Sequence, residues 1–170
     1  MSCRSTRCFH AKLLFAVTLL FPLTVFSQTQ SASTEELAQR SEVVAVGTVT
    51  SLTSEWNENR SSIRTRVNLS VSEFLKGATS NNTLTLFIPG GEVDGVGEIY
   101  SDMPRFRTDE NVFVFAKKDA RGYYRVAGGS QGKYSIHRDE ISGKRLIAGD
   151  TSLDDLIATV RNALRVQNLK

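Results

Sequence analysis

Two motifs associated with serine catalysis overlap in one short segment. Residues 128–132 read Gly-Gly-Ser-Gln-Gly, the G-x-S-x-G pattern of a nucleophile elbow, and Ser130 with Lys133 also matches S-x-x-K. The elbow requires a strand that turns sharply into a helix, and S-x-x-K requires a helix that returns the lysine to the serine. Residues 133–137 alternate as a strand does, and Gly132 disfavours a helix. We therefore interpret the segment as a glycine-rich turn between two strands and predict no catalytic residue.

Side chains that bind metals are scarce. A zinc site needs several histidine or cysteine ligands. Beyond residue 27 the chain has one histidine, His137, and no cysteine, because Cys3 and Cys8 both precede that point. Four acidic residues of one loop could offer oxygens to calcium, but they lack the EF-hand spacing: Glu92, Asp94, Glu98 and Asp102. We interpret them as solvated, and we predict neither a metal nor a cofactor.

The N-terminus has the three parts of a secretory signal peptide. A basic head is followed by an apolar run over residues 13–26, and small residues, Val25 and Ser27, stand at the −3 and −1 positions of a cut before Gln28. The apolar run is too short for a membrane span and contains Pro22. We therefore predict a cleaved signal peptide over residues 1–27 and an exported protein, periplasmic or secreted, with no membrane anchor.

Removal of this leader changes the charge of the chain. Of its 21 basic residues, three lie in the leader, so that 18 remain against 18 acidic residues. Arg4, Arg7 and Lys12 are the three that are lost. A nucleic-acid-binding protein needs a positive field from clustered lysines and arginines. We therefore expect no nucleic-acid partner for the mature chain.

The clearest structural pattern is a period of two over residues 63–72. Apolar residues and Thr65 alternate there with polar residues, as in an antiparallel strand that has one face in the core and one in water. Shorter apolar or alternating runs predict strands at 43–49, 84–88, 112–116, 123–127, 133–137 and 146–147. Gly47 indicates a bulge or a close backbone approach in the first of these. Residues 57–60, Asn-Glu-Asn-Arg, suit a hairpin turn.

A helix is predicted at each end of the mature chain. Ser33 and Glu36 form a capping-box pattern at the start of a helix that reaches about Arg40. Ser152 caps a second helix, over residues 152–167, whose apolar residues form one stripe: Leu153, Leu156, Ile157, Val160 and Leu164. Short strands between two helices predict a mainly β fold, a small antiparallel OB-like or netrin-like barrel that occupies residues 28–170 as one domain.

One connection, over residues 89–107, is longer than most loops of compact domains. It combines apolar side chains such as Met103 and Phe106 with Arg105. Loops of this length are either functional or packed as flaps over other structure. The sequence leaves both readings open: a binding surface, or a plug for the open end of the barrel.

The mature chain resembles a family of small exported bacterial proteins to which no activity is attached. The resemblance rests on Val-x-Val-Gly-x-Val at 44–49, Thr-x-Val-x-Leu-x-Val at 65–71, Leu-Lys-Gly at 75–77, Gly-Gly-Glu at 90–92, Met-Pro-Arg-Phe at 103–106 and Gln-Gly-Lys-Tyr at 131–134. More distantly, the order of elements is similar to the netrin-like fold of tissue inhibitors of metalloproteases. Those inhibitors chelate zinc through an N-terminal cysteine, which a chain that begins at Gln28 lacks, so the resemblance implies a fold and no activity.

These observations predict an exported, non-enzymatic binding module that presents the 89–107 loop to a protein partner in the envelope or the medium. Two alternatives stay open: a hydrolase that uses Ser130 or the loop carboxylates, and an oligosaccharide-binding barrel in which Trp56, Tyr100, Tyr123 and Tyr124 stack on sugars. The residues predicted to bind the partner are Gly90, Gly91, Glu92, Met103, Pro104, Arg105, Phe106, Gln131 and Lys133.

Overall fold

The computed structural model describes residues 31–167, which form one curled antiparallel sheet, a small hairpin and two helices. The leader predicted over residues 1–27 lies outside these residues. The elements are α1 (Thr34–Arg40), β1 (Val43–Trp56), β2 (Ile63–Lys76), β3 (Thr83–Pro89), β4 (Gly91–Val93), β5 (Val96–Glu98), β6 (Asn111–Lys118), β7 (Tyr124–Val126), β8 (Lys133–Arg138), β9 (Arg145–Ile147), β10 (Thr151–Ser152) and α2 (Leu153–Gln167). The prediction of a mainly β, antiparallel fold with a helix at each end is confirmed.

The large sheet curls into a half-barrel. Its strands follow the order β10-β9-β8-β6-β1-β2-β3, and β7 pairs with β6 beside β8. The curl brings β3 close to the β6–β7 turn, so that the rings of Phe87 and Tyr123 lie 4.7 Å apart. No strand pairing joins β3 to β7 within the described residues. The barrel is therefore open along this line.

Each face of the sheet has its own core. On one face, the helices α1 and α2 cover residues such as Val44 and Phe113. On the other, concave face, side chains from β1, β2, β3, β6 and β7 pack together, among them Val67 and Leu86. We refer to this second group as the concave core. Because both faces are covered, residues 112–116 of β6 are all buried, as the apolar run predicts.

The predicted register of β2 is confirmed. Val67 is fully buried in the concave core, whereas its neighbour Arg66 is exposed. Gly47 proves to be both a bulge and a close approach: the β1–β2 register shifts at Val46–Gly47, and a Cβ at Gly47 would lie 2.6 Å from the carbonyl oxygen of Ser70. The predicted β1–β2 turn is present at Asn57–Arg60.

The helix ends follow the predicted caps in part. Ser33 accepts a hydrogen bond of 3.1 Å from the N–H of Glu36 at the start of α1. The Glu36 carboxylate pairs with Arg40 at 2.8 Å, which leaves the capping box one-sided. At the other end of α1, the Lys76 ammonium donates to the carbonyls of Ala38 and Gln39, 3.0 Å from each. This lysine ties the helix to the end of β2.

The connection predicted over residues 89–107 contains two short strands that were not predicted. Residues 91–98 form a hairpin, β4–β5, that turns at Asp94 and Gly95. Both turn residues have positive φ, 53° and 77°, as the tightest hairpin turns require. The strands are three residues long and include glycines, so they carry no detectable alternation. The strand β10 was also not predicted, because two residues are too few to show an alternation.

Candidate functional site

A pocket of about 500 Å³ opens at one end of the concave face. Its floor is the continuation of the concave core at Leu52, Val67 and Ile88. Its sides are the β4–β5 hairpin and the segment 99–106. We call it the loop pocket. The 89–107 loop thus encloses a cavity between itself and the sheet.

Two glycines allow the loop to start so close to the sheet. Gly90 and Gly91 have φ of 92° and 137°, values that other residues rarely adopt. A Cβ at Gly91 would lie 2.4 Å from the Ser54 hydroxyl oxygen and 2.5 Å from that of Thr65. The Thr65 hydroxyl donates to the Gly90 carbonyl at 2.7 Å. Backbone and hydroxyl groups therefore hold this wall in place.

Glu98 fastens the other end of the hairpin. Its carboxylate accepts a hydrogen bond of 3.0 Å from the N–H of Ile63 and one of 3.1 Å from the Tyr100 hydroxyl. The hydrogen bond to this carboxylate raises the pKa of Tyr100. The next residue, Ile99, is 85% exposed. The end of the hairpin, which the hydrogen bonds of Glu98 hold in place, therefore exposes an apolar side chain to solvent.

The segment Met103–Phe106 contains both buried and exposed side chains. Met103 and Phe106 are half-buried against the concave core, and Pro104 is buried. The Phe106 ring also lies beneath the Lys133 ammonium, 5.3 Å from the ring centroid. Arg105 is exposed and has no carboxylate within 4.0 Å among residues 31–167. The segment thus combines a packed inner side with a free guanidinium.

The turn at residues 128–132 supports the loop from behind. It forms a short 3-10 helix between β7 and β8, where Ser130 donates its N–H to the Asp102 carbonyl at 2.7 Å. Gly129 packs so closely on the same carbonyl that a Cβ would lie 2.4 Å from it. Gln131 instead accepts a hydrogen bond of 2.8 Å from the N–H of Ala32. The turn therefore links the loop to the segment that precedes α1.

The Lys133 side chain forms an ion pair and a hydrogen bond within the protein. Its ammonium lies 2.5 Å from the Glu110 carboxylate and 2.7 Å from the Ser135 hydroxyl, and its side chain is nearly buried. Burial by itself would raise the pKa of Glu110, but hydrogen bonds from Lys133, Ser135 and the Arg107 N–H outweigh it and lower that pKa. This cluster joins the end of the loop to β8.

The structure brings together seven of the nine residues predicted to bind a partner. Gly90, Gly91, Glu92, Met103, Pro104, Arg105 and Phe106 all line the loop pocket. Gln131 and Lys133 do not line it: Gln131 accepts a hydrogen bond from Ala32, and Lys133, at the start of β8, lies over the Phe106 ring. Residues that the sequence reasoning missed are Ser54, Thr65 and Glu98. Thr65 and Ser54 lie opposite each other in the β1–β2 register, which runs without a shift from this pair to the turn between the two strands.

The catalytic and metal-binding patterns have definite positions. Ser130 occupies the 3-10 turn, with a strand rather than a helix after it. His137 is on β8, half-exposed, with its Nε2 3.9 Å from the Asp150 carboxylate. Within residues 31–167, no three histidine, aspartate or glutamate side chains are grouped closely enough to hold a metal ion. None of the helices in that part of the chain has the length and apolar character to cross a membrane.

Comparison of the chain with known protein families and with curated proteins finds no match. The resemblance to a family of exported bacterial proteins and to the netrin-like fold therefore stays a prediction. Function has to be argued from the site itself.

Proposed function

We propose that the chain is an exported, non-enzymatic binding module and that the loop pocket receives a side chain of a protein partner. The observation that carries this proposal is the pocket together with the apolar side chains displayed at the same loop. Three of the most exposed large apolar residues of the described chain lie between residues 96 and 100: Val96, Ile99 and Tyr100. Apolar surface grouped beside a cavity is typical of an interaction site.

The chemistry of the pocket indicates the chemistry of its occupant. Leu52, Val67 and Ile88 form an apolar floor, which favours an aliphatic or aromatic side chain. Arg105 lines the same pocket and is not ion-paired within residues 31–167. A guanidinium that has no carboxylate of its own is suited to accept one from a partner. The occupant is therefore a protein segment with an apolar side chain next to an acidic one.

The supports behind the loop favour tight binding. Glu98, Gly91 and the turn at 128–132 hold the loop in one conformation before any partner arrives. A preorganised surface loses less conformational entropy on binding than a mobile one. Met103 and Phe106 contribute to this order because they pack against the concave core.

The experiment is differential capture from the envelope fraction and culture medium with three variants. Ile99→Ser and Arg105→Ala should each lose a protein that the wild type retains. Ile141→Ser is the matched control, because Ile141 is 97% exposed but lies at the tip of the β8–β9 hairpin. The captured protein, once purified, should bind the wild type directly in calorimetry and bind Arg105→Ala at least tenfold more weakly.

Two results would contradict the proposal. If Ile141→Ser abolishes capture as fully as Ile99→Ser does, the loop is not the binding surface. If a serine-reactive phosphonate labels Ser130, the alternative of a hydrolase replaces that of a binding module. Labelling is not expected, because Ser130 is in a 3-10 turn followed by a strand.

A further inference from the structure

A second cavity, of about 380 Å³, lies where the barrel is open between β3 and the β6–β7 turn. Three arginines line it: Arg64, Arg121 and Arg125. The chain beyond residue 27 has equal numbers of basic and acidic residues, so three guanidiniums around one small cavity are a local concentration of positive charge. We call this cavity the arginine cleft.

Arg64 is held in a fixed position. Its guanidinium carbon lies 4.7 Å from the ring centroid of Phe87 and 5.0 Å from that of Tyr123. Its Nε donates to the Glu55 carboxylate at 2.9 Å, and the same carboxylate also pairs with Arg66. One carboxylate therefore serves two guanidiniums. Stacking fixes the orientation of Arg64 and leaves part of its donor fork unused.

The other two arginines differ in their pairing. Arg125 pairs with Asp119 at 2.8 Å. The exposed side chain of Arg121 has no carboxylate within 4.0 Å in the described part of the chain. Two further acids lie beside the cleft: Glu58 accepts a hydrogen bond of 3.2 Å from the Tyr123 hydroxyl, and Glu98 accepts hydrogen bonds from the Ile63 N–H and the Tyr100 hydroxyl.

Three guanidiniums therefore line the cleft, and no aspartate or glutamate of the described residues lines it. The nearby carboxylates are engaged elsewhere, Glu55 and Asp119 in ion pairs and Glu58 and Glu98 in hydrogen bonds. Arg121 is exposed and is the lining arginine that has no ion pair in the described part of the chain. A ligand that supplies one carboxylate would balance this charge. Arginine binds carboxylates through two parallel hydrogen bonds, which gives such a contact a defined direction.

We propose that the arginine cleft binds a carboxylate carried on a sugar ring, as in a uronic acid. The carboxylate follows from the unpaired Arg121. The ring follows from two features: Tyr100, which is 46% exposed, lines the cleft, and the Ser62 hydroxyl, which accepts a hydrogen bond from the Asn57 amide, keeps its own O–H to donate. The cavity is of a size that small ligands occupy. This site is next to the loop pocket, and Ile88, Pro89 and Tyr100 line both.

The test is a calorimetric titration of the exported chain with three probes: a uronic acid disaccharide, the neutral disaccharide of the same linkage, and acetate. The uronic acid disaccharide should bind with saturation, the neutral disaccharide at least tenfold more weakly, and acetate no better than the neutral sugar. Arg121→Ala should weaken binding of the uronic acid disaccharide about tenfold to a hundredfold, the loss expected for a charge-assisted hydrogen bond.

Variants separate this site from the loop pocket. Arg105→Ala should leave the titration unchanged, because Arg105 lines the loop pocket alone. Arg121→Ala should fold normally, since Arg121 contributes to the turn through its backbone N–H, which donates to the Asp119 carboxylate at 2.9 Å and is kept in the variant. Thermal melting checks this.

The proposal is overturned by any of three results. Equal binding of the neutral and acidic disaccharides removes the role of the carboxylate. Equal binding of acetate and the acidic disaccharide removes the role of the ring. Unchanged binding by Arg121→Ala removes the assigned residue. None of these results touches the loop pocket, because partner capture is measured with different variants.

Discussion

Phe106→Ala is the substitution that measures how much the loop contributes to stability. Truncation of a fully buried phenylalanine costs about 3–5 kcal/mol, part of it from the cavity left behind. Phe106 is half-buried on the concave core, so we expect roughly half of that range, about 2 kcal/mol. The lost contact with the Lys133 ammonium adds about 0.5–1 kcal/mol. The free energy of unfolding should therefore fall by about 2–3 kcal/mol.

The assay is urea unfolding followed by circular dichroism, with Arg105→Ala as the matched control. Arg105 is the adjacent residue, is exposed and is not ion-paired within residues 31–167, so its removal should change the free energy of unfolding by less than about 0.5 kcal/mol. A cost below about 1 kcal/mol for Phe106→Ala would refute the packing described for this ring. An equal loss of unfolding free energy for both variants would refute the description of Phe106 as packed against the core and of Arg105 as exposed.

Three further substitutions test the acid cluster, the register and the loop wall. Because the folded state lowers the pKa of Glu110, its contribution to stability is present above its ordinary pKa of 4.5 and is lost as the pH falls through the lower, folded value. Glu110→Gln should therefore show a shallower loss of stability in acid unfolding as the pH falls below 4.5. Val67→Asp should prevent folding, since an unpaired buried carboxylate costs several kcal/mol. Arg66→Asp should lose only about 1 kcal/mol of stability, from the ion pair with Glu55. Equal melting temperatures for the two variants would disprove the β2 register. Gly91→Ala should lower the melting temperature through backbone strain of about 1–3 kcal/mol and contact with two hydroxyls, while Gly97→Ala, with open space at its Cβ, should melt like the wild type.

Much of the fold was predictable because β2 and β6 carry strong patterns. The alternation at residues 63–72 decides which face of β2 is buried, and the continuous apolar run at 112–116 identifies a strand with both faces covered. The caps at Ser33 and Ser152 mark the starts of α1 and α2 because their hydroxyls accept the first free N–H groups. These are local signals, and local signals can be read in one sequence.

The sequence predicted the segments that line the loop pocket but not the pocket itself. Gly90–Glu92 and Met103–Phe106 were identified from loop length and composition, but the cavity exists because Glu98 reaches Ile63, a residue 35 positions earlier. Such a contact depends on the pairing of β2 with β3, which sets Arg64 opposite Pro89. Lys133 illustrates the same limit. A lysine beside a glycine-rich turn resembles a surface residue, and only the fold places Glu110 next to it.

The tip of the β4–β5 hairpin is open enough for residues to be inserted there during evolution. Asp94 and Gly95 turn the chain in open space, and no atom outside their neighbours lies within 4 Å of where a Cβ at Gly95 would be. Extra residues inserted there would lengthen a loop whose ends Glu98 and Gly91 already fix. Because the entropy of closing a loop grows with the logarithm of its length, a doubling costs only about 0.6 kcal/mol. Insertions at this tip can therefore change the shape of the loop surface while the sheet keeps its stability, so the loop and the sheet are free to evolve separately.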